Sequence, residues 1–124
     1  MRRATRFLRE ERGSGAAEFT LVFIPFAAMV FGIIHLGLLF YANQSLQFAA
    51  EMAARCFSVD ANTCPTTGSV QTYAAGKYKG PNIGASFVAS KTGCGHTVAG
   101  SGNYTFNAVF VRRSVPLTAT ACFP

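Results

Sequence analysis

Residues 19–41 read FTLVFIPFAAMVFGIIHLGLLFY, a run without Asp, Glu, Lys or Arg. At 1.5 Å per residue a helix over this run is about 34 Å long, enough to cross a hydrocarbon core of about 30 Å. A lone helix satisfies its own backbone hydrogen bonds in lipid, which an isolated strand or loop does not. The run also explains the composition. The 124-residue chain is 50% hydrophobic and 13% charged, against about 25% charged in an ordinary soluble domain. A cleaved secretory signal fits less well, because its apolar region is about 7–15 residues long and ends in small residues. Here the run is longer, and its exit, Leu39-Phe40-Tyr41-Ala42-Asn43, lacks an A-x-A pattern. Pro25 removes one backbone donor inside the run and is expected to bend or loosen a turn. His35 is expected to stay neutral and bonded to a backbone carbonyl, or else to line a helix contact. Ala28 and Gly32 form one small-x-x-x-small step that permits close helix approach.

Upstream of the run the charge is one-sided. Arg2, Arg3, Arg6, Arg9 and Arg12 precede it, and the next basic residue is Arg55. That asymmetry predicts a single-pass protein with its N-terminus in the cytoplasm and its C-terminal part outside. The chain's net charge of +6 and pI near 9.6 could suggest nucleic acid. Half of that charge lies in the N-terminal tail, where five Arg accompany Glu10 and Glu11, and Arg112-Arg113 is the one basic pair afterwards. A nucleic-acid interface needs a basic face on the folded domain, so no nucleic-acid partner is expected.

Downstream of Tyr41 the pattern becomes amphipathic. Ala42, Leu46, Ala49, Ala50, Ala53 and Phe57 recur at helical spacing and make one apolar stripe. Glu51 and Arg55 on another face are spaced for an i,i+4 pair. One helix over about residues 16–57, roughly 60 Å long, is predicted, half of it in lipid. Beyond Phe57 the chain is rich in Gly, Thr, Ser and Asn. Strands are predicted over residues 85–91, 104–111 and 115–122, with Gly93, Gly95, Gly100 and Gly102 marking turns. The expected fold is α+β: a long N-terminal transmembrane and amphipathic helix followed by a small antiparallel β-sheet domain.

A sheet domain of this size has a thin core, and covalent staples would compensate. Cys56, Cys64, Cys94 and Cys122 allow three pairings, and a location outside the cytoplasm permits oxidation. The preferred pairing is Cys56–Cys64, clipping the helix end to the next loop, with Cys94–Cys122 tying strand edges. A zinc site is disfavoured by the lack of C-x-x-C spacing and by His96 being the one nearby histidine; no metal and no cofactor are expected. No enzyme is expected either. Beyond the tail the carboxylates are Glu18, Glu51 and Asp60, too few and too scattered for an acid–base pair, and no nucleophile neighbours a plausible base. Gly13-Ser14-Gly15 and Gly100-Ser101-Gly102 lack the strand–loop–helix context of a phosphate-binding loop.

The junction ahead of the apolar run, REERGSGAAEF at residues 9–19, combines a charged leader ending in Gly with a glutamate five positions later and an immediate apolar helix. It resembles a prepilin processing site. Together with FAAEMAARC at residues 48–56 and the terminal LTATACFP at residues 117–124, the chain resembles the TadE-like family of minor pilins of the tight-adherence (Flp, type IVc) pilus system. The resemblance implies a leader over residues 1–13, a helix over 14–57 and a periplasmic or extracellular β domain over 58–124. It implies cleavage by a prepilin peptidase between Gly13 and Ser14, which removes five Arg and two Glu and lowers the side-chain charge from +6 to +3. Glu18 would then be the fifth mature residue, pairing with an α-amine and setting register between subunits. The implied partners are inner-membrane lipid before assembly, other pilin subunits through the helix, and the peptidase. The competing reading is an uncleaved, single-pass, membrane-anchored periplasmic binding module, using loops around residues 93–103.

Overall fold

The computed structural model describes residues 11–108 and 110–124. Most of the arginine-rich tail, including Arg2, Arg3, Arg6 and Arg9, lies outside the described residues, as does the side chain of Arg12. The order of elements is α1 (Glu11–Val59), α2 (Thr67–Lys77), β1 (Ser86–Thr92), β2 (Gly95–Ala108) and β3 (Val111–Phe123). The strands form one antiparallel sheet in the order β1-β2-β3. A long apolar N-terminal helix with a small antiparallel sheet and two disulfides makes the fold α+β. The chain divides into two compact units, Met1–Leu36 and Gly37–Pro124.

α1 already includes Glu11, ahead of the predicted start near Ala16, and it continues through Pro25. Gly13 and Gly15 each cost about 1 kcal/mol relative to Ala in a helix. Extending a helix that is already nucleated adds one hydrogen bond per residue fixed, and the long apolar segment supplies the nucleus. In the first unit the large apolar side chains face outward: Phe19, Leu21 and Val22 are 68%, 72% and 70% exposed. This is the one described helix long and apolar enough to cross a membrane.

In the Gly37–Pro124 unit the same helix turns amphipathic. Ala42, Leu46, Ala49, Ala50 and Ala53 are fully buried, and Phe57 is partly buried against the same cluster. Alternate sheet residues meet this stripe: Phe87 and Ala89 from β1, Val98 and Tyr104 from β2, and Leu117, Ala119 and Ala121 from β3. The period of two puts them on one face. Because most of the helix stripe is alanine, the sheet approaches closely and the core stays small. Its largest fully buried side chains are Leu46, Val70, Val98 and Cys64.

Three expectations are corrected. The middle strand begins at Gly95, not Tyr104, so Gly100 and Gly102 lie inside β2 rather than at turns. A Cβ at residue 100 would fall 2.7 Å from Phe87 Cε1 and 3.1 Å from Leu46 Cδ1, and one at residue 102 would fall 2.7 Å from Ile83 Cδ1. These glycines are where the strand lets the core through. The proposed binding loop over residues 93–103 is therefore mostly strand. The second correction concerns residues 67–77, for which the sequence pattern predicts no element and which form α2. Thr66 caps α2: its hydroxyl accepts from the Ser69 amide at 3.2 Å, and Ser69 Oγ accepts from the Thr66 amide at 3.0 Å. Val70 and Ala74 are its buried face, and it packs against β1. Gly68, Gly76 and a Ser in place of the usual Glu at the third position weaken the helical signal in the sequence. The third correction concerns Glu51, which accepts a hydrogen bond from Gln47 Nε2 at 3.0 Å; among the described residues no Glu51–Arg55 ion pair forms.

Candidate functional site

The residues singled out at the junction, Gly13, Ser14 and Glu18, all lie in the opening turns of α1 and are all exposed. Ser14 and Glu18 are four positions apart, so they stand on one helix face about one turn from each other. Neither Gly13 nor Gly15 has any atom within 4 Å of where a Cβ would sit, so the backbone here is open to an approaching protein. Among the described residues here, Thr20 Oγ1 donates to the Ala16 carbonyl at 2.8 Å, and Phe19 stacks on Phe23 with ring centroids 5.6 Å apart. Two glycines in three residues make this the least helix-favouring stretch of α1 apart from Pro25. Glu18 is the one carboxylate between Ser14 and Tyr41. It borders a face of exposed aromatic and aliphatic side chains, so burial of that face in lipid or against another helix would carry a carboxylate to its edge.

His35 is partly buried. Gly32 and Ala28 lie on α1 with no atom within 4 Å of a Gly32 Cβ, which leaves room for a close neighbour.

Asp60 has structural work. It ends α1 and closes the following turn: its carboxylate accepts from the Asn62 amide at 3.1 Å, the Thr63 amide at 3.1 Å and Thr63 Oγ1 at 2.7 Å. The Thr63 bonds hold its pKa below the ordinary aspartate value of 3.8. In the same turn the Cys64 amide donates to the Asp60 carbonyl at 2.9 Å, which brings Cys64 to Cys56 with Cα atoms 5.8 Å apart in a disulfide. A second disulfide joins Cys94, in the β1–β2 turn, to Cys122 on β3, with Cα atoms 6.4 Å apart. All the cysteines are therefore bonded. His96 packs edge-on to Phe57 with ring centroids 4.4 Å apart, and its Nδ1 is buried without a hydrogen-bond partner. Among the described residues no group of three His, Cys, Asp or Glu could hold a metal.

The structure also brings together residues that no sequence pattern linked. The Tyr41 hydroxyl donates to the Lys79 carbonyl at 2.9 Å, and the Lys79 amide donates to the buried Ser45 hydroxyl at 2.9 Å. These bonds tie the segment after α2 to the helix where the apolar run ends. Next to it the Tyr78 hydroxyl donates to the Pro81 carbonyl at 2.6 Å, and burial, with Tyr41 nearby, raises the Tyr78 pKa above 10.0. The contacts span more than thirty positions of sequence, which is why local pattern does not reveal them.

Residues 13–55 match the family model for TadE-like proteins. The match begins at the junction glycine, covers the apolar run and its amphipathic continuation, and stops short of the sheet. No curated protein and no solved structure matched the chain.

Proposed function

We propose that this chain, whose long helix carries the TadE-like signature, is a minor pilin or pseudopilin, a structural subunit that supports assembly or adhesion of a tight-adherence pilus. The match over residues 13–55 supports association with such a pilus. The observation that carries the finer reading is the coincidence, at one place on α1, of an open Gly13-Ser14 step, Glu18 one turn later, and an exposed apolar surface.

The mechanism follows from those parts. The arginine-rich leader holds the N-terminus in the cytoplasm, and residues 19–41 anchor the chain in the inner membrane with the sheet domain in the periplasm. Gly13 and Gly15 lower the cost of unwinding the junction so that a prepilin peptidase can take it in extended form. Cutting before Ser14 creates a new α-amine. It also leaves Glu18 five residues from the new chain end, near a helix N-terminus, where a carboxylate is favoured by the helix dipole. A carboxylate at the edge of a lipid or protein interior needs a partner, and an α-amine from the same or a neighbouring subunit provides one. Pairing between subunits sets the axial register of helices packed in a filament. The oxidising periplasm suits the two disulfides, which hold the small outer domain together.

The test is N-terminal sequencing of the chain recovered from cells with and without the prepilin peptidase. A mature start at Ser14 that depends on the peptidase is expected. A chain that keeps Met1 in the presence of the peptidase sinks the reading and leaves an uncleaved membrane-anchored module.

A further inference from the structure

Beyond Asp60 the sequence has no Asp or Glu, while Lys77, Lys79, Lys91, Arg112 and Arg113 are basic. In the Gly37–Pro124 unit these charges are sorted along the helix. Lys91 sits near the C-terminal end of α1, its Nζ 5.9 Å from the centroid of the Phe57 ring, and Lys77 lies over the Tyr73 ring at 5.1 Å. Lys79 is at the opposite end, held beside Tyr41 and Ser45, where the apolar run finishes.

β2 runs along the helix in that same direction. His96 touches Phe57, Gly100 lies against Leu46, and the Asn103 amide donates to the Ile83 carbonyl at 2.8 Å. Past Tyr104 and Leu117, the last buried residues of their strands on that side, β2 and β3 continue as a two-stranded ribbon to the closing pair Ala108–Val111. Phe106 still packs partly against the core, and from Asn103 to Ala108 the strand reaches about 17 Å at about 3.3 Å per residue. At its tip Phe110 is 95% exposed and Val111 is 48% exposed. Arg112 and Arg113 follow at once in β3, both exposed, and successive strand residues point to opposite faces. An apolar wedge is thus flanked by a guanidinium on each side of the ribbon, at the Tyr41 end of the unit.

We propose that the β2–β3 tip is a second membrane contact, in which Phe110 and Val111 enter the interface of an anionic phospholipid surface while Arg112, Arg113 and Lys79 bind headgroup phosphates. The proposal rests on reading residues 19–41 as a membrane span, because that reading brings lipid to the Tyr41 end. The chemistry is complementary: exposed apolar side chains such as Phe next to basic residues bury at the headgroup–acyl boundary, guanidinium forks match phosphate oxygens, and no acidic side chain beyond Asp60 opposes them. The contact would hold the sheet domain down on the bilayer until the helix leaves for the filament.

The chain contains no Trp, so Phe110→Trp gives a single reporter in the full chain reconstituted into vesicles, and Phe31→Trp gives the matching reporter for the span. In vesicles containing phosphatidylglycerol, Phe110→Trp emission is expected to shift to the blue and to be quenched by lipids brominated near the headgroup. The shift is expected to shrink in pure phosphatidylcholine, in high salt, and on adding Arg112→Gln with Arg113→Gln. If Phe110→Trp emits as in water while Phe31→Trp is quenched by lipids brominated at mid-chain, the span stands and the tip proposal is overturned, leaving the tip to a protein partner. If the double Arg→Gln variant leaves the shift unchanged, the headgroup role is overturned. If Phe31→Trp escapes quenching, the span reading fails and the tip proposal falls with it.

Discussion

Replacing Leu46 by Ala and Gly100 by Ala, singly and together, tests how the sheet rests on the helix. Leu46 is fully buried and is among the few large fully buried side chains in a core of which half the residues are alanine. Leu→Ala in a core costs about 2–5 kcal/mol, the cost rising when neighbours cannot collapse into the space. Alanine neighbours on α1 have no side-chain atoms to spare, so about 3–4 kcal/mol is expected. Gly100→Ala is an overpacking change: its Cβ would lie 2.7 Å from Phe87 Cε1, 3.0 Å from Phe87 Cδ1 and 3.1 Å from Leu46 Cδ1. Forcing that ring aside costs about 1–3 kcal/mol. In the double variant the new methyl and the displaced Phe87 ring enter the space that Leu46 vacates. The double variant should therefore be more stable than the sum of the singles by about 1 kcal/mol, within the usual range for contacting residues. Urea denaturation of the full chain in detergent micelles, followed by tyrosine fluorescence, reads this directly. Tyr41, Tyr73, Tyr78 and Tyr104 all lie in the Gly37–Pro124 unit, and no Trp competes. Additivity within about 0.3–0.5 kcal/mol, or a Leu46→Ala loss below about 1 kcal/mol, would refute the packing argument.

Three further outcomes are expected. Glu18→Ala should leave membrane insertion intact and reduce incorporation into pili, scored by fractionation and by sheared-pilus immunoblots; normal incorporation removes Glu18 from assembly. Replacing Cys94 and Cys122 by Ala should lower stability by about 3.6 kcal/mol on the loop-entropy scale, against about 2.6 kcal/mol for Cys56 with Cys64, because the closed segments have sequence separations of 28 and 8. Equal losses in urea melts would contradict the loop-length account. Asp60 has a depressed folded pKa, so its contribution to stability is complete above the ordinary value of 3.8 and is lost as pH falls through the folded pKa. Asp60→Asn should flatten that acid limb of the denaturation midpoint, and a limb unchanged by the substitution would show that the Asp60 turn does not carry it.

Much of the fold is legible because it rests on local periodicity. Residues 19–41 declare a helix by composition alone, and Ala42, Leu46, Ala49, Ala50 and Ala53 mark its buried stripe by spacing. The alternation of Leu117, Ala119 and Ala121 likewise marks a strand face. What is misread is what packing overrides. Gly100 and Gly102 look like turn residues by propensity, yet they sit mid-strand because Phe87, Leu46 and Ile83 occupy the space their side chains would take. α2 is hidden because its helical face amounts to Val70 and Ala74, and its stability comes from a cap and from packing on β1. At the candidate site, Gly13, Ser14 and Glu18 lie within six residues of sequence and need no tertiary structure to be brought together. Tyr41, Ser45 and Lys79 need the chain to fold back on itself.

The sequence by itself determined the apolar helix, the run of arginines ahead of it, the Gly13–Glu18 junction pattern and the amphipathic continuation, since each is a property of neighbouring residues. The tertiary structure has the cysteine pairing preferred from the sequence, and it alone decided that β2 is one long strand. It also decided that the ribbon carries Phe110 and two arginines to the end of the domain where the apolar run finishes. Those depend on contacts between distant segments, whose geometry is set by how closely an alanine-faced helix lets a glycine-punctuated sheet approach.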